Sequence, residues 1–312
     1  MRRPGRRIFF FIGLVALAAV IVAEFALRKV WGFGEMTILF REDPSFEYIA
    51  IPNQDKTRFG NRVVYNEHSM RSLPIKDSDK CIVLGFGDSV INGGTLTDQD
   101  SLATTIVEKR LKGEEGDGFR FLNISAGSWG PDNCAAYLDK FGSFDAKMIV
   151  LFVSSHDAYD NMTFEKTVGV NQSYPDEPYP LAIWEVIDRY LKPRVLGLLG
   201  TTSNNDELMI NKGGNTFNPG FEFFTKYSQE HNIPFVLCLH AERKEVEEGK
   251  YNTQGQEILE YCSRNNIKVL SGLQIGEQLS DFRDQIHINE AGQKRWAESL
   301  FNEIRKTIEI CR

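Results

Sequence analysis

The sequence lacks both glycine-rich cradles that hold nucleotide phosphates: it has no Gly-x-Gly-x-x-Gly turn and no Gly-Lys-Ser/Thr loop. Its five histidines, at 68, 156, 231, 240 and 287, are scattered without metal-ligand spacing. Five cysteines in 312 residues are too few, and too apolar in their surroundings, for a disulfide framework. Cys81 and Cys238 read as small hydrophobes of core strands. Basic residues form no stripe beyond the N-terminus, and the net charge of −7 argues against a nucleic-acid partner. No internal repeat or low-complexity tract is evident, and no cofactor is expected.

Long apolar runs are also scarce, with one exception. Arg2, Arg3, Arg6 and Arg7 precede an apolar segment from Ile8 to Ala23, which Phe25, Ala26 and Leu27 continue after Glu24. Its length of roughly twenty residues matches a bilayer core. The arginines belong on the cytoplasmic side, so the reading is a cytoplasmic tail (1–7), a signal anchor (8–27) and a chain facing outwards. A cleaved signal peptide, with Ile21-Val22-Ala23 as the cleavage site, is the rival. Residues 28–79 form an N-terminal extension in which polar and apolar residues alternate between turn formers, as short strands do. A structural collar without chemistry is the expectation there.

From Cys81 onwards strand and helix patterns alternate. Strands are expected at Cys81–Leu84, Phe119–Ile124, Met148–Val153, Phe235–Leu239 and Ile267–Leu270. Between and after them come helices at Leu102–Leu111, Pro131–Phe141, Phe221–His231 and Thr253–Asn265, then a last helix running towards Ile310. The strands are continuous apolar runs, which suits a sheet covered on both faces. Such alternation gives right-handed crossovers and a five-stranded parallel sheet in a flavodoxin-like three-layer α/β/α sandwich at 80–312. An insertion at about 162–218, with one helical piece around Leu181–Leu199, is long for a plain connection and is expected to overhang the site. Tyr174, Tyr179 and Trp184 within it are candidates for stacking on sugar rings, although Trp184 also suits helix-face packing.

Two stretches carry the chemistry. The first strand runs into Gly85-Phe86-Gly87-Asp88-Ser89, whose glycines are expected to turn the chain and lift Ser89 at the carboxyl edge of the sheet. A plain helix N-cap is the bland alternative for that serine. Near the other end, Asp284 and His287 stand three apart, on one face if they share a helical turn. The carboxylate would then hold the imidazole through Nδ1 and leave Nε2 for a serine proton.

Taken together, Gly87-Asp88-Ser89 and Asp284-x-x-His287 resemble the nucleophile and acid–base blocks of the SGNH (GDSL) hydrolases. The resemblance spans roughly residues 80–300 and implies a catalytic triad of Ser89, His287 and Asp284. It implies an oxyanion hole from the backbone of Ser89, a second N–H from Gly127 or Ser128 (Gly127 preferred) and a side chain at position 156. There the family's asparagine is replaced by His156, whose ring N–H can also donate; Ser155 or Asn161 is the rival donor. His240, at the end of a strand, could approach the site, although a structural histidine is the preferred reading. The implied activity is hydrolysis of an ester, with an O-acylated or O-acetylated envelope polysaccharide as the leading substrate class. An O-acyltransferase and a non-catalytic scaffold in surface-polysaccharide assembly are the alternatives. The N-terminal helix would place the enzyme on the outer side of a membrane, in the periplasm if the source is a Gram-negative bacterium.

Overall fold

The computed structural model describes residues 5–115, 118–198, 210 and 212–308. Cys311, Leu199 and the end of the last helix therefore lie outside the described residues. Nine strands are described. β1 (Phe40–Asp43) pairs with β2 (Glu47–Ala50), and β3 (Gln54–Arg58) with β4 (Asn61–Tyr65), as two antiparallel hairpins of the extension. The remaining five, β5 (Cys81–Gly87), β6 (Phe119–Ser125), β7 (Met148–Ser154), β8 (Phe235–His240) and β9 (Lys268–Ser271), form one parallel sheet in the order β6-β5-β7-β8-β9. That is the flavodoxin-like order, and its switch point lies between β5 and β7.

Alternation along the strands explains the two helical layers. On β7, Ile149, Leu151 and Val153 face one apolar cluster, while Met148, Val150 and Phe152 face the other. Helices Pro131–Phe141, Gly220–His231 and Thr253–Arg264 cover the first face, and Ala103–Glu115 and Glu290–Ile308 the second. Gly87 is level with Ser125 of β6 and Phe152 of β7, so the loops after these strands open at one edge.

Several elements differ from the sequence reading. The strand does not stop at Leu84; it continues through Gly87. Gly85 and Gly87 serve close packing and not a turn, because a Cβ would lie 2.7 Å from the Phe121 ring at Gly85 and 2.7 Å from the Phe152 carbonyl at Gly87. Cys81 is disulfide-bonded, whereas Cys134, Cys238 and Cys262 are free and buried. A short helix at Arg243–Glu248 was not anticipated, since six mostly charged residues offer no apolar periodicity. The helical piece of the insertion covers 182–198 and contains a π-helical turn at Ile187–Leu191.

The N-terminal helix, Gly5–Trp31, contains a stretch from Ile8 to Trp31 long and apolar enough to cross a membrane, none of it buried against the protein.

Candidate active site

The chain leaves β5 at Gly87 and enters a one-turn helix, Ser89–Asn92. Asp88 caps that turn, its Oδ1 accepting the Val90 N–H at 2.8 Å, and Gly93 ends it in the left-handed region at φ 71°. Ser89 is thereby held at the switch point of the sheet. The loop behind it is tied to β6: Asn123 donates to the Ile91 carbonyl at 2.9 Å, and Asn92 donates to the Ser125 carbonyl at 2.9 Å.

Across the edge, His287 Nε2 lies 2.9 Å from Ser89 Oγ, and its Nδ1 lies 2.8 Å from Asp284 Oδ2. A carboxylate only accepts, so Nδ1 carries the proton and Nε2 is left to accept from the hydroxyl. The expectation that Asp284 and His287 share a helical face needs correction. They meet in a turn before the last helix, where Asp284 Oδ1 accepts the N–H groups of Ile286 (2.9 Å) and His287 (2.7 Å). Burial raises the Asp284 carboxyl, but those two N–H groups and the His287 ring outweigh it and hold it below its usual range.

The turn is braced from beneath by His240, a structural role that also brings it close to the site. His240, at the end of β8, is fully buried; its Nε2 lies 2.8 Å from the Ile286 carbonyl and its Nδ1 lies 2.6 Å from Glu277 Oε1. Glu277 also accepts the Trp296 indole N–H at 2.6 Å and the Ala241 N–H at 2.9 Å. Nothing in the sequence around Glu277 marks it, because its partners lie at the end of β8 and in the last helix, both distant along the chain.

Gly127 follows β6 and lines the same cavity as Ser89 and His287. Tyr48 of β2 donates to the Gly127 carbonyl at 2.8 Å, and a Cβ on Gly127 would lie 2.6 Å from the Tyr174 hydroxyl oxygen. The neighbouring Ser128 adopts a left-handed φ of 55°, the conformation a glycine takes most easily.

His156 follows β7 and is not among the described residues that line the cavity. Its Nδ1 lies 3.0 Å from Glu242 Oε1, its Nε2 lies 4.0 Å from Asp160, and its side chain is 31% exposed. Burial lowers its pKa, but Asp157, Glu242, Asp160 and Asp88 together push it up to about 10. A ring nitrogen of His156 and one carboxylate oxygen each of Asp88 and Asp157 lie within 4.8 Å of one another. Ser155 and Asn161, the rival donors, are engaged elsewhere: Ser155 Oγ donates to Glu245 at 2.6 Å and Asn161 Nδ2 to the Thr216 carbonyl at 2.8 Å.

The cavity holds about 410 Å³ and is walled by three parts of the chain. The core gives Ser89, Gly127, Arg283 and His287; the extension gives Phe40, Arg58 and Tyr65; the insertion gives Tyr174, Arg189 and Tyr190. The extension is thus more than a collar. Of the aromatic residues singled out in the insertion, Tyr174 reaches the cavity, Tyr179 bonds Asp188 at 3.0 Å, and Trp184 is 53% exposed.

No family model matches the sequence, and no curated protein does. Solved structures align with it over about three quarters of its length. They include a lipase/acylhydrolase from Enterococcus faecalis, at 12% identity over 72% of this chain and 96% of the other, with a TM-score of 0.44. TesA aligns at 14% identity over 72% and 99%, TM-score 0.44. The acetyl xylan esterase AlAXEase aligns at 16% identity over 72% and 99%, TM-score 0.39. These scores lie below 0.5, so the fold rests on the strand order and register given above.

Proposed function

We propose that this chain is a serine esterase of the SGNH (GDSL) type. The observation that carries the proposal is the continuous relay from Ser89 Oγ through His287 to Asp284, with contacts of 2.9 and 2.8 Å, opening on a cavity at the switch point of the sheet. Ser89 attacks the ester carbonyl while His287 Nε2 takes its proton. Negative charge develops on the carbonyl oxygen, and the backbone N–H groups of Ser89 and Gly127 donate to it. Although it stands outside the cavity lining, His156 is assigned as the third donor through Nε2, the ring nitrogen that Glu242 does not hold. His287 then gives its proton to the leaving alkoxide. A water, deprotonated by the same nitrogen, releases the acid and restores Ser89. Asp284 keeps the imidazole in the required tautomer throughout.

The substrate we favour is an O-acyl or O-acetyl ester on a polysaccharide. Supporting this are the rings of Phe40, Tyr65, Tyr174 and Tyr190 around the cavity, which offer flat apolar faces beside polar groups. The N-terminal helix is read as an uncleaved anchor with the esterase domain outside the cytoplasm. The helix runs unbroken through Ile21-Val22-Ala23 to Trp31, and the disulfide at Cys81 suits an oxidising compartment.

A fluorophosphonate probe tests the assignment: it should label the parent protein and leave Ser89→Ala unlabelled, with the variant still folded. Equal labelling of both would overturn the nucleophile. Aryl acetates supplied with and without a sugar acceptor then separate hydrolysis from acyl transfer, because a transferase passes the acyl group on only when the acceptor is present.

A further inference from the structure

We propose that the insertion helix at 182–198 lies in the membrane interface beside the N-terminal span, its apolar stripe set among the lipid headgroups and upper acyl chains. The inference rests on the anchored reading of Gly5–Trp31 and goes beyond it, because it assigns a second membrane-facing surface.

Trp184, Ile187, Leu191, Val195 and Leu198 recur at intervals of three and four residues, the spacing of one helical face. Their exposures run from 39% at Ile187 to 89% at Leu198, so the protein itself leaves the face uncovered. The helix cannot roll to hide it. Ala182 and Glu185 are fully buried, and Glu185 is fastened by Arg58, by Arg189 at 3.0 Å and by the Gly34 N–H at 2.7 Å.

What covers the stripe is indicated by how the helix begins. Glu24 of the N-terminal helix accepts the first two N–H groups, those of Ala182 at 2.8 Å and Ile183 at 2.9 Å. Arg28, four residues on, bonds Glu24 at 2.7 Å and the Pro180 carbonyl at 2.6 Å. The outer end of the span and the start of the insertion helix are therefore one joint. A carboxylate that would be costly inside hydrocarbon is satisfied as the cap of a second helix, which places that helix at the level where the span leaves the acyl core. Trp31, 45% exposed at the end of the span, is the residue type of the interfacial belt. Lys192 and Arg194 are exposed beside the stripe, where their stems can follow the apolar surface and their charges reach lipid phosphates. The opposite side of the same helix gives Arg189 and Tyr190 to the cavity, so the docked surface and the cavity share a wall.

The test uses the full chain in phosphatidylcholine–phosphatidylglycerol vesicles, with an environment-sensitive dye on Leu191→Cys or Val195→Cys. The free native thiols at 134, 238 and 262 are buried and should stay unlabelled. Dye emission should shift to the blue, be quenched severalfold by lipids brominated near the headgroup, and be protected from aqueous iodide. Iodide quenching without bromolipid quenching would overturn the proposal, as would protection from both quenchers, which would mean that a second copy or another protein covers the stripe. Vesicle flotation after an alkaline wash reports the anchor separately. Flotation with water-exposed dyes defeats the interfacial helix alone, whereas loss of flotation defeats the anchor and the helix with it.

Discussion

Two histidine–carboxylate pairs stand one above the other at this sheet edge, and their contrast shows how burial divides proton chemistry from bracing. In both, Nδ1 faces a carboxylate, at 2.8 Å for His287–Asp284 and 2.6 Å for His240–Glu277. The difference lies at Nε2. His287 meets the Ser89 hydroxyl, which can donate, so a neutral ring is satisfied and can take a proton. His240 meets the Ile286 carbonyl, which cannot donate, so Nε2 carries a proton and a second one is shared between Nδ1 and Glu277. The first pair is 33% and 50% exposed, and the second is wholly buried. An exposed pair can exchange protons with substrate and water. The buried pair is a fixed strut under Ile286, the residue before His287.

His287→Ala should break the contrast at its more reactive end. Ester turnover should fall by about 10⁴-fold or more, because the hydroxyl loses its base, while stability stays within about 0.5 kcal/mol for so exposed a residue. Steady-state kinetics with an aryl acetate and a urea melt read the two quantities. A variant that keeps most of its kcat would show that another base serves Ser89.

His240→Ala should reverse the pattern. Removing one member of a buried pair strands the Glu277 carboxylate, at a cost of about 3–5 kcal/mol measured as a lower urea midpoint. His240→Ala combined with Glu277→Leu should recover part of that loss, since no uncompensated charge then remains. The strut also has a pH signature. Burial lowers the pKa of His240, but Glu277 and the Ile286 carbonyl raise it above its ordinary value. A raised histidine pKa means the folded state holds the proton more tightly. Its stabilisation is therefore complete below about pH 6.5, the unfolded value, and is lost as pH rises through the folded one. The stability gap between the parent and the double variant, which has no Glu277 to titrate, should shrink towards alkaline pH; a gap that widens would mean that His240 is neutral.

The contrast also marks what could be read from the sequence. The sheet was legible because its strands are unbroken apolar runs separated by helical periods, and Ser89, Asp284 and His287 were legible because each sits in a short local pattern. His240 and Glu277 were not, since their partnership links β8 to the turn at Gly276 and to Trp296 of the last helix, and no spacing in the chain encodes it. The glycines of β5 were misjudged for a related reason: a close approach to Phe121 and Phe152 looks in sequence like a turn. The cavity walls given by Arg58, Tyr65 and Tyr190 come from segments whose local pattern is that of ordinary loops and hairpins.

His156–Glu242 is a third pair of the same kind, intermediate in exposure at 31% and 24%, and it tests whether partial burial leaves a histidine able to act on substrate. His156→Ala should slow the chemical step by about 10²- to 10³-fold, the cost of losing one oxyanion donor. The loss should fall on kcat more than on KM, because the bond strengthens only as charge develops. His156→Asn should restore much of the rate through its amide N–H. A kcat near the parent's in the alanine variant would make this pair a second strut and leave the oxyanion to the two backbone donors.

The smallest effect is expected where no titratable group is involved. Tyr48 is 1% exposed and reaches from the extension to the Gly127 carbonyl, holding the Gly127–Ser128 peptide next to the Gly127 N–H proposed to face the oxyanion. Its own carbonyl is fixed by the Trp129 indole N–H at 2.9 Å, so the backbone at Tyr48 is anchored and only the hydroxyl would change in Tyr48→Phe. Loss of that hydrogen bond should cost about 1 kcal/mol of stability. If the bond also sets, through the Gly127 backbone, the direction of the Gly127 N–H, kcat should fall by up to about tenfold at unchanged KM, because the misplacement is felt only when the oxyanion forms. A stability loss with no change in kcat would confine Tyr48 to packing and show that the extension shapes the cavity without touching the chemistry.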